Sequence, residues 1–216
     1  MKNRISLFII LSLIVLSACT NNTKKEAIQQ DTIVEKTIPL EPISETIETV
    51  EDSVLETTKK ILTSLKNKDY ETLATFIHPN LGLTFSPYGF IDTTKSINFS
   101  KNQFVNKVQQ QKTINWGAYD GSGDPILLTP ENYFKKFVYS ADFLKADTTS
   151  KNKIISKGNS LINLNKVFKD CDFTESYFAG FNKKYDGMDW QSLILVYKKS
   201  NNQNKLVAII HNQWTI

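Results

Sequence analysis

The stretch that decides the fold lies near the end of the chain, where residues 190–198 read WQSLILVYK and residues 206–210 read LVAII. Both runs are rich in the aliphatic and aromatic residues that favour β-strands. They flank residues 200–204, SNNQN, a polar segment of turn-forming residues. Two apolar runs joined by such a segment predict an antiparallel β-hairpin.

Helical patterns dominate the region before this hairpin. Apolar residues at helical intervals predict an amphipathic helix over residues 50–67. Asp69, Ser100 and Thr129 are each placed to cap a later helix, and residues 145–160 read as a polar loop. Helices that come first and paired strands that come last indicate an α+β fold, with the N-terminal helices packed on one face of an antiparallel sheet.

The first 18 residues have the pattern of a secretory signal peptide. A positively charged start precedes an apolar run at residues 5–16, shorter than the roughly 20 residues that a membrane-spanning helix needs. The run ends in LSAC, which resembles a bacterial lipobox, whose cysteine becomes the acylated N-terminus of the mature protein. We therefore expect residues 1–18 to be cleaved and Cys19 to be lipidated.

The expected signal peptide and lipid anchor divide the chain into segments and predict its location. Residues 19–51 lack aromatic side chains and predict a disordered, lipid-anchored tether, followed by a single α+β domain over residues 52–216. The expected location is the bacterial cell envelope, with the domain in the periplasm and the anchor in the outer membrane. Once Cys19 is acylated, Cys171 has no disulfide partner within the chain.

Charge divides along the chain, with a net charge of −6 over residues 20–56 and +8 over residues 57–216. A basic domain can be a solvated soluble surface, or can be attracted to an anionic membrane or polymer. Every cationic residue beyond Arg4 is lysine, whereas arginine usually marks specific phosphate recognition. We expect no nucleic-acid partner, and we expect a monomer.

Two sets of segments carry a resemblance. Residues 67–73, NKDYETL, and the His78-Pro79 pair are similar to the opening of nuclear transport factor 2-like, cystatin-like cone folds. FSPYG, WGAYDGSGDP, DGMDW and IHNQWTI, at residues 85–89, 116–125, 186–190 and 210–216, resemble a group of uncharacterised bacterial lipoproteins. The resemblance implies a curved sheet with a cavity over its concave face. It implies no particular activity, because cone folds host isomerases, dehydratases and pure binding modules.

His211 is the first candidate for chemistry. In a regular strand it shares a face with Val207 and Ile209, whereas Trp214 lies on the other face. One hypothesis has His211 line a pocket, with Asp189 as its orienting carboxylate. The alternative is a hydrogen-bonded structural histidine. Two histidines in the whole chain are too few for a His-rich metal site, so we expect neither a metal nor another cofactor.

Residues 120–124, DGSGD, place oxygens as a calcium loop does, but Pro125 stands where that loop needs glycine. A tight turn is the better interpretation. Eight aromatic residues cluster near turns, and three or four at one rim would form a groove for an apolar or glycan ligand. They are Tyr88, Phe90, Trp116, Tyr119, Phe178, Phe181, Trp190 and Trp214. The ligand-binding candidates are Tyr119, Asp120, Asp186, Trp190 and Trp214.

Three functions remain open, and one of them is a structural role in the cell envelope, for which the basic domain would need an acidic polymer as partner. The other two involve a ligand or a substrate. The first is a lipid-anchored binding or interaction module outside the cytoplasm, without catalysis, that holds a small molecule or an envelope partner. The second is a small cofactor-free enzyme, of the isomerase or hydrolase kind, that uses His211 and Asp189 as acid and base.

Overall fold

The computed structural model describes residues 50–157 and 161–215. Its helices are α1 (Val50–Lys66), α2 (Tyr70–Phe76), α3 (Lys101–Gln110), α4 (Pro130–Tyr133) and α5 (Leu164–Val167). Its strands are β1 (Leu83–Ser86), β2 (Ile97–Phe99), β3 (Ile114–Ala118), β4 (Pro125–Leu128), β5 (Thr148–Lys151), β6 (Asp172–Phe178), β7 (Gln191–Ser200) and β8 (Gln203–Gln213). The expected α+β class is therefore confirmed. Cys19, the signal peptide and the tether up to residue 49 lie outside the described residues.

Six strands form one sheet in the order β2-β1-β8-β7-β6-β5, and β3 pairs with β4 in a separate hairpin. The expectation of an antiparallel sheet is wrong at one pair, because β1 runs parallel to β8, with Ser86 opposite Ile210. More than a hundred residues separate these two strands in the chain. No hairpin turn dictates their relative direction, so β1 joins the exposed edge of β8 as the chain leaves α2.

The predicted hairpin is β7–β8, and both strands extend further than the apolar runs suggested. Asn201 and Asn202 both have positive φ, 50° and 59°, and form a two-residue turn of the kind that matches strand twist. A register shift follows Val196, which pairs with Ala208 while Tyr197 pairs with Leu206. The extra residue in β8 moves Val207 to the opposite face of the sheet from Ile209.

The face of the sheet that carries Ile209 packs against the helices, and its core is unusually aromatic. Phe85 lies at its centre and contacts the rings of Phe104, Trp116, Tyr133 and Phe134 at centroid distances of 5.5–6.2 Å. After α4 the chain continues in a π-helical turn, Phe134–Val138. This wider turn brings successive aromatic side chains toward the same core.

α1 is fixed to the sheet by buried polar contacts as well. The Thr58 hydroxyl lies 2.8 Å from the Tyr197 hydroxyl and 3.0 Å from that of Thr174. At the C-terminal end of α1, the Lys66 ammonium donates to Asp142 at 2.7 Å. The helix therefore runs along β6, from the start of that strand toward its end.

The opposite face of the sheet is covered too, by a second apolar cluster that includes Leu164, Phe173, Ile194 and Val207. α5 and the segment leading into it lie over this face. Residues 145–160, interpreted above as loop, contribute the edge strand β5. Its sequence, TTSK, has no apolar residue, so nothing in its hydrophobicity indicates a strand.

Among the residues that the structure describes, no helix has both the length and the apolar character needed to span a bilayer.

Candidate functional site: an aromatic cavity beside β1

A cavity of about 230 Å³ opens where the chain leaves β1. Three segments line it: the loop over residues 86–90, the turn over residues 92–96, and the β3–β4 hairpin at residues 116–120. Four of the eight aromatic residues singled out in the sequence meet here. They are Tyr88, Phe90, Trp116 and Tyr119.

Trp116 forms the floor of the cavity, since it is almost completely buried. Its indole N–H donates to the Leu128 carbonyl at 2.9 Å, and its ring stacks on Tyr133 at a centroid distance of 3.9 Å. The register of β3 against β4 shifts between Asn115 and Ala118, beside Trp116, and Gly117 in this bulge has a φ of 118° that suits glycine. The floor is therefore rigid and belongs to the protein core.

The walls are aromatic side chains that are only partly buried. The Tyr119 ring lies under the Lys136 ammonium, 4.4 Å from the ring centroid, and its hydroxyl accepts from that ammonium at 3.2 Å. Tyr88 packs edge-on against Phe137 at 5.8 Å. Burial raises the pKa of the Tyr88 phenol above its usual value, so this group stays a neutral hydrogen-bonding hydroxyl at physiological pH. Phe90 is 53% exposed at the rim.

Hydrogen bonds fix the loop that carries Tyr88 and Phe90. The Ser86 hydroxyl donates to the Tyr88 carbonyl at 2.8 Å. The Ile91 amide donates to the side chain of Asn163 at 2.8 Å, and that side chain donates back to the Ile91 carbonyl. Gly89 packs closely against the buried Asn212, since a Cβ there would lie 2.8 Å from the Asn212 side-chain oxygen and would displace that side chain. The cavity is thus preformed.

The rim carries charge of both signs. Asp92 accepts from the backbone and hydroxyl of Thr94 at 2.9 and 2.6 Å, and these bonds lower the pKa of its carboxyl. The Lys95 ammonium lies 3.9 Å from the Asp92 carboxylate, and Asp120, an exposed residue of the β3–β4 hairpin, also lines the cavity. An aromatic floor with carboxylates at its edge suits a ligand that has an apolar face and donating hydroxyl groups.

Of the ligand-binding candidates from sequence, Tyr119 and Asp120 line this cavity, whereas Asp186, Trp190 and Trp214 do not. Asp186 adopts positive φ, 49°, in the turn before β7. Trp190 is buried and contacts the Tyr177 ring at 6.0 Å. Trp214 follows β8 and is 38% exposed. These three residues belong to the end of the sheet at which β7 begins.

The structure does not bring His211 and Asp189 together. His211 is completely buried, with Nε2 3.0 Å from the Gln213 side-chain oxygen and its ring edge-on to Phe137. Burial lowers the pKa of this imidazole to about 4. The Asp189 carboxylate instead accepts the Asn182 amide at 2.8 Å. The predicted face of His211 is correct for Ile209 and wrong for Val207, because of the bulge in β8.

Two other sequence interpretations can be placed. Asp170 and Asp172 flank Cys171 in the sequence, and such acidic neighbours disfavour a thiolate; burial, with these two carboxylates adding to it, raises the pKa of the Cys171 thiol. Residues 120–124 form an exposed turn with Gly121 and Gly123 at positive φ. Within the described part of the chain, no group of three or more His, Cys, Asp or Glu side chains could hold a metal ion.

Sequence reasoning missed Asp92, Lys95 and Ser96 as lining residues. Asp92-Thr93-Thr94 does indicate a local turn in which Asp92 accepts from Thr94. Nothing in the sequence indicates that this turn faces a hairpin more than twenty residues later.

Comparison with protein-family models and with curated proteins finds no match for this chain.

Proposed function

We propose that this chain is a lipid-anchored binding module outside the cytoplasm, which holds a small ligand in the aromatic cavity and performs no catalysis. The observation that carries the proposal is the preformed cavity over Trp116, with Tyr88 and Tyr119 as walls and carboxylates at its rim. Pockets that bind small molecules are typically apolar and largely preformed, with a few polar groups that orient the ligand.

The chemistry of the lining favours a hydroxylated ring as ligand. Aromatic side chains stack on the apolar face of a sugar, while Asp92 and Asp120 are placed to accept hydrogen bonds from its hydroxyl groups. A volume of about 230 Å³ lies below the range of about 300–1,000 Å³ usual for drug-sized ligands. A single sugar ring or the end of a glycan is therefore the preferred ligand class.

Binding without turnover is supported by what the cavity offers. The described residues that line it include neither histidine nor cysteine. Asp92, one of the two lining carboxylates, already accepts two hydrogen bonds and has a lowered pKa, which makes it a weaker base. His211, the candidate base of the alternative enzyme hypothesis, is buried against Phe137 and Gln213.

The location rests on the sequence alone. A signal peptide that ends in LSAC supports export and acylation at Cys19. We expect wild-type protein expressed in a bacterial host to incorporate labelled palmitate and to fractionate with membranes. A Cys19→Ser variant that still carried the label would refute this part of the proposal.

The binding test starts from native mass spectrometry of residues 19–216 purified gently from an exporting bacterial host. A mass above that of the bare chain would reveal the ligand directly. Titration calorimetry with glucose and N-acetylglucosamine then tests the ligand class. We expect Phe90→Ser and Asp120→Asn each to weaken sugar binding at least ten-fold, because one removes a stacking face and the other a charged acceptor.

Matched controls lie elsewhere on the same chain. Phe181 is as exposed as Phe90, and Asp124 is a second exposed acid of the β3–β4 turn that does not line the cavity. Phe181→Ser and Asp124→Asn should bind as wild type does. Equal losses in test and control variants would show that the cavity is not the site. His211→Asn should leave the affinity unchanged, whereas an enzyme that uses His211 would lose turnover by orders of magnitude.

A further inference from the structure

The loop between β6 and β7 exposes large apolar side chains within eight residues. Phe181 is 52% exposed, Tyr185 is 47% exposed and Met188 is 52% exposed. Trp214, one position beyond the Gln191–Gln213 pair of the hairpin, lies at the same end of the sheet and is 38% exposed. Isolated exposed apolar residues are ordinary, but a group on one short loop marks an interaction surface.

The loop is held in one shape by its own hydrogen bonds. Lys183–Tyr185 form a 3-10 turn, and the Asn182 side chain caps it by accepting the Lys184 amide at 3.0 Å. The Asp189 carboxylate closes the loop by accepting the Asn182 amide at 2.8 Å. A loop ordered in advance loses little conformational entropy when its side chains become buried against a partner.

The base of the loop is anchored to the core. The ring of Phe181 packs on that of Phe178 at 5.1 Å, and Phe178 packs on Phe143 at 5.8 Å. Gly180 lies directly under Asp189, where a Cβ would approach the carboxylate to 2.9 Å. The exposed apolar side chains are therefore held in place by packing against the core.

The charged side chains of the loop indicate what kind of partner binds this surface. Lys183 and Lys184 are both exposed between Phe181 and Tyr185, and Asp186 is the single exposed acid of the loop. Aromatic rings beside lysines suit the boundary between lipid headgroups and acyl chains, where rings insert and ammonium groups meet anionic phosphates. The net charge of +8 over residues 57–216 adds attraction of the same sign.

We propose that the β6–β7 loop docks the domain on an anionic membrane surface, with Phe181, Tyr185 and Met188 inserted and Lys183 and Lys184 at the headgroups. This inference rests on the membrane-anchored location proposed above. It does not depend on the cavity or its ligand.

The length of the chain permits this orientation. Thr58, in the middle of α1, contacts Thr174 near the start of β6, so the N-terminal half of α1 extends away from the loop and Val50 lies roughly the 25 Å length of α1 from it. Thirty residues separate Cys19 from Val50. If these residues form the disordered tether that the sequence predicts, their typical end-to-end distance is about 30 Å, enough to span a docked domain.

The test uses residues 19–216 with Cys19→Ser, so that no acyl chain contributes to binding. We expect this protein to co-sediment with vesicles of phosphatidylglycerol and phosphatidylcholine, more weakly with phosphatidylcholine alone, and more weakly at high salt. Lys183→Gln/Lys184→Gln should reduce binding to the anionic vesicles about twenty-five-fold, since each lysine near such a surface contributes roughly five-fold. Phe181→Ser/Met188→Ser should reduce it at least ten-fold.

Two control variants carry matched changes elsewhere. Lys59→Gln/Lys60→Gln removes two exposed lysines of α1, and Leu127→Ser removes an apolar side chain that is 56% exposed. Both should retain most of the vesicle binding. Brominated lipid should quench the fluorescence of Trp214 on docking. Absence of vesicle binding by the parent protein, or equal losses in test and control variants, would overturn the proposal and leave a protein partner as the occupant.

The two proposals fail separately. Phe181→Ser should lose vesicle binding and keep the cavity ligand, whereas Phe90→Ser should do the reverse. The Cys19→Ser variant tests the two parts separately. Loss of palmitate labelling would support the lipid anchor, and absence of vesicle binding by the same variant would refute the docking loop.

Discussion

Acid should destabilise the domain through His211 at a pH where the carboxylates are still ionised. The ring is completely buried between Phe137 and Gln213, and burial lowers its pKa to about 4. An unfolded chain exposes the same imidazole, with a pKa of about 6.5. As the pH falls below 6.5, the imidazole of His211 binds a proton in the unfolded state but stays neutral in the native state. Stability is therefore lost as the pH falls from 6.5 toward 4.

The size of the effect follows from the difference between the two pKa values. With about 1.4 kcal/mol for each pKa unit, lowering the pH from 7 to 5 should reduce the free energy of unfolding by about 2 kcal/mol. The measurement is urea unfolding at both pH values, for the wild type and for His211→Asn. The variant lacks the titrating ring, so its loss over this interval should be about 2 kcal/mol smaller than that of the wild type.

Other titrating groups do not obscure the comparison of wild type with His211→Asn between pH 7 and pH 5. Burial lowers the pKa of His78 as well, but His78 is present in both proteins and cancels in the difference. Asp69 and Asp142 have lowered pKa values, so their contributions are lost only below about pH 4. Equal losses in wild type and variant between pH 7 and 5 would show that His211 is accessible to protons in the native state, contrary to the packing described here.

Three further predictions concern stability and reactivity. Gly82→Ala should lower the free energy of unfolding by about 3 kcal/mol, because φ is 69° and a Cβ would lie 2.7 Å from the backbone carbonyl oxygen of Phe99. Gly121→Ala, with φ 84° and open space around it, should lower it by about 1 kcal/mol, and thermal melts of both variants measure the difference. Tyr197→Phe should cost about 1–2 kcal/mol in urea unfolding, because the Thr58 hydroxyl loses a buried partner; an unchanged midpoint would contradict this. The raised pKa of the half-buried Cys171 thiol should make its alkylation by iodoacetamide at pH 7 at least ten-fold slower in the folded than in the urea-unfolded protein, as followed by mass spectrometry.

Local patterns predicted the elements well where one residue type decides the geometry. Ser100 caps α3 in a capping box with Gln103, and Thr129 caps α4 by accepting the Asn132 amide, as their positions before apolar runs indicated. The β7–β8 hairpin was evident because both strands are apolar on both faces. That pattern also explains why the sheet is covered on two sides and not on one.

Features that depend on distant contacts were not accessible from the sequence. The bulge after Val196 moves Val207 to the other face, and no local pattern marks it. The pairing of β1 with β8 depends on where α2 delivers the chain. For the same reason, the sequence pointed to Tyr119 and Asp120 as binding residues but not to Asp92 and Lys95, which reach the cavity only through that pairing.

The parallel pairing of β1 with β8 also relates the two proposed surfaces. Ser86 opposes Ile210, so the chain leaves β1 at the end of the sheet where β8 stops, β6 ends and β7 begins. The aromatic cavity follows β1 and the β6–β7 loop follows β6, which places both at that end, separated by the widths of β8 and β7. A strand spacing of about 4.8 Å sets their lateral separation at about 15 Å. A domain docked through Phe181 would therefore hold its cavity close to the membrane surface, where a ligand carried on a membrane component is within reach. If β1 ran antiparallel to β8, the cavity would open at the far end of the sheet, beside the start of α1. A domain docked through the β6–β7 loop would then hold its cavity away from the membrane.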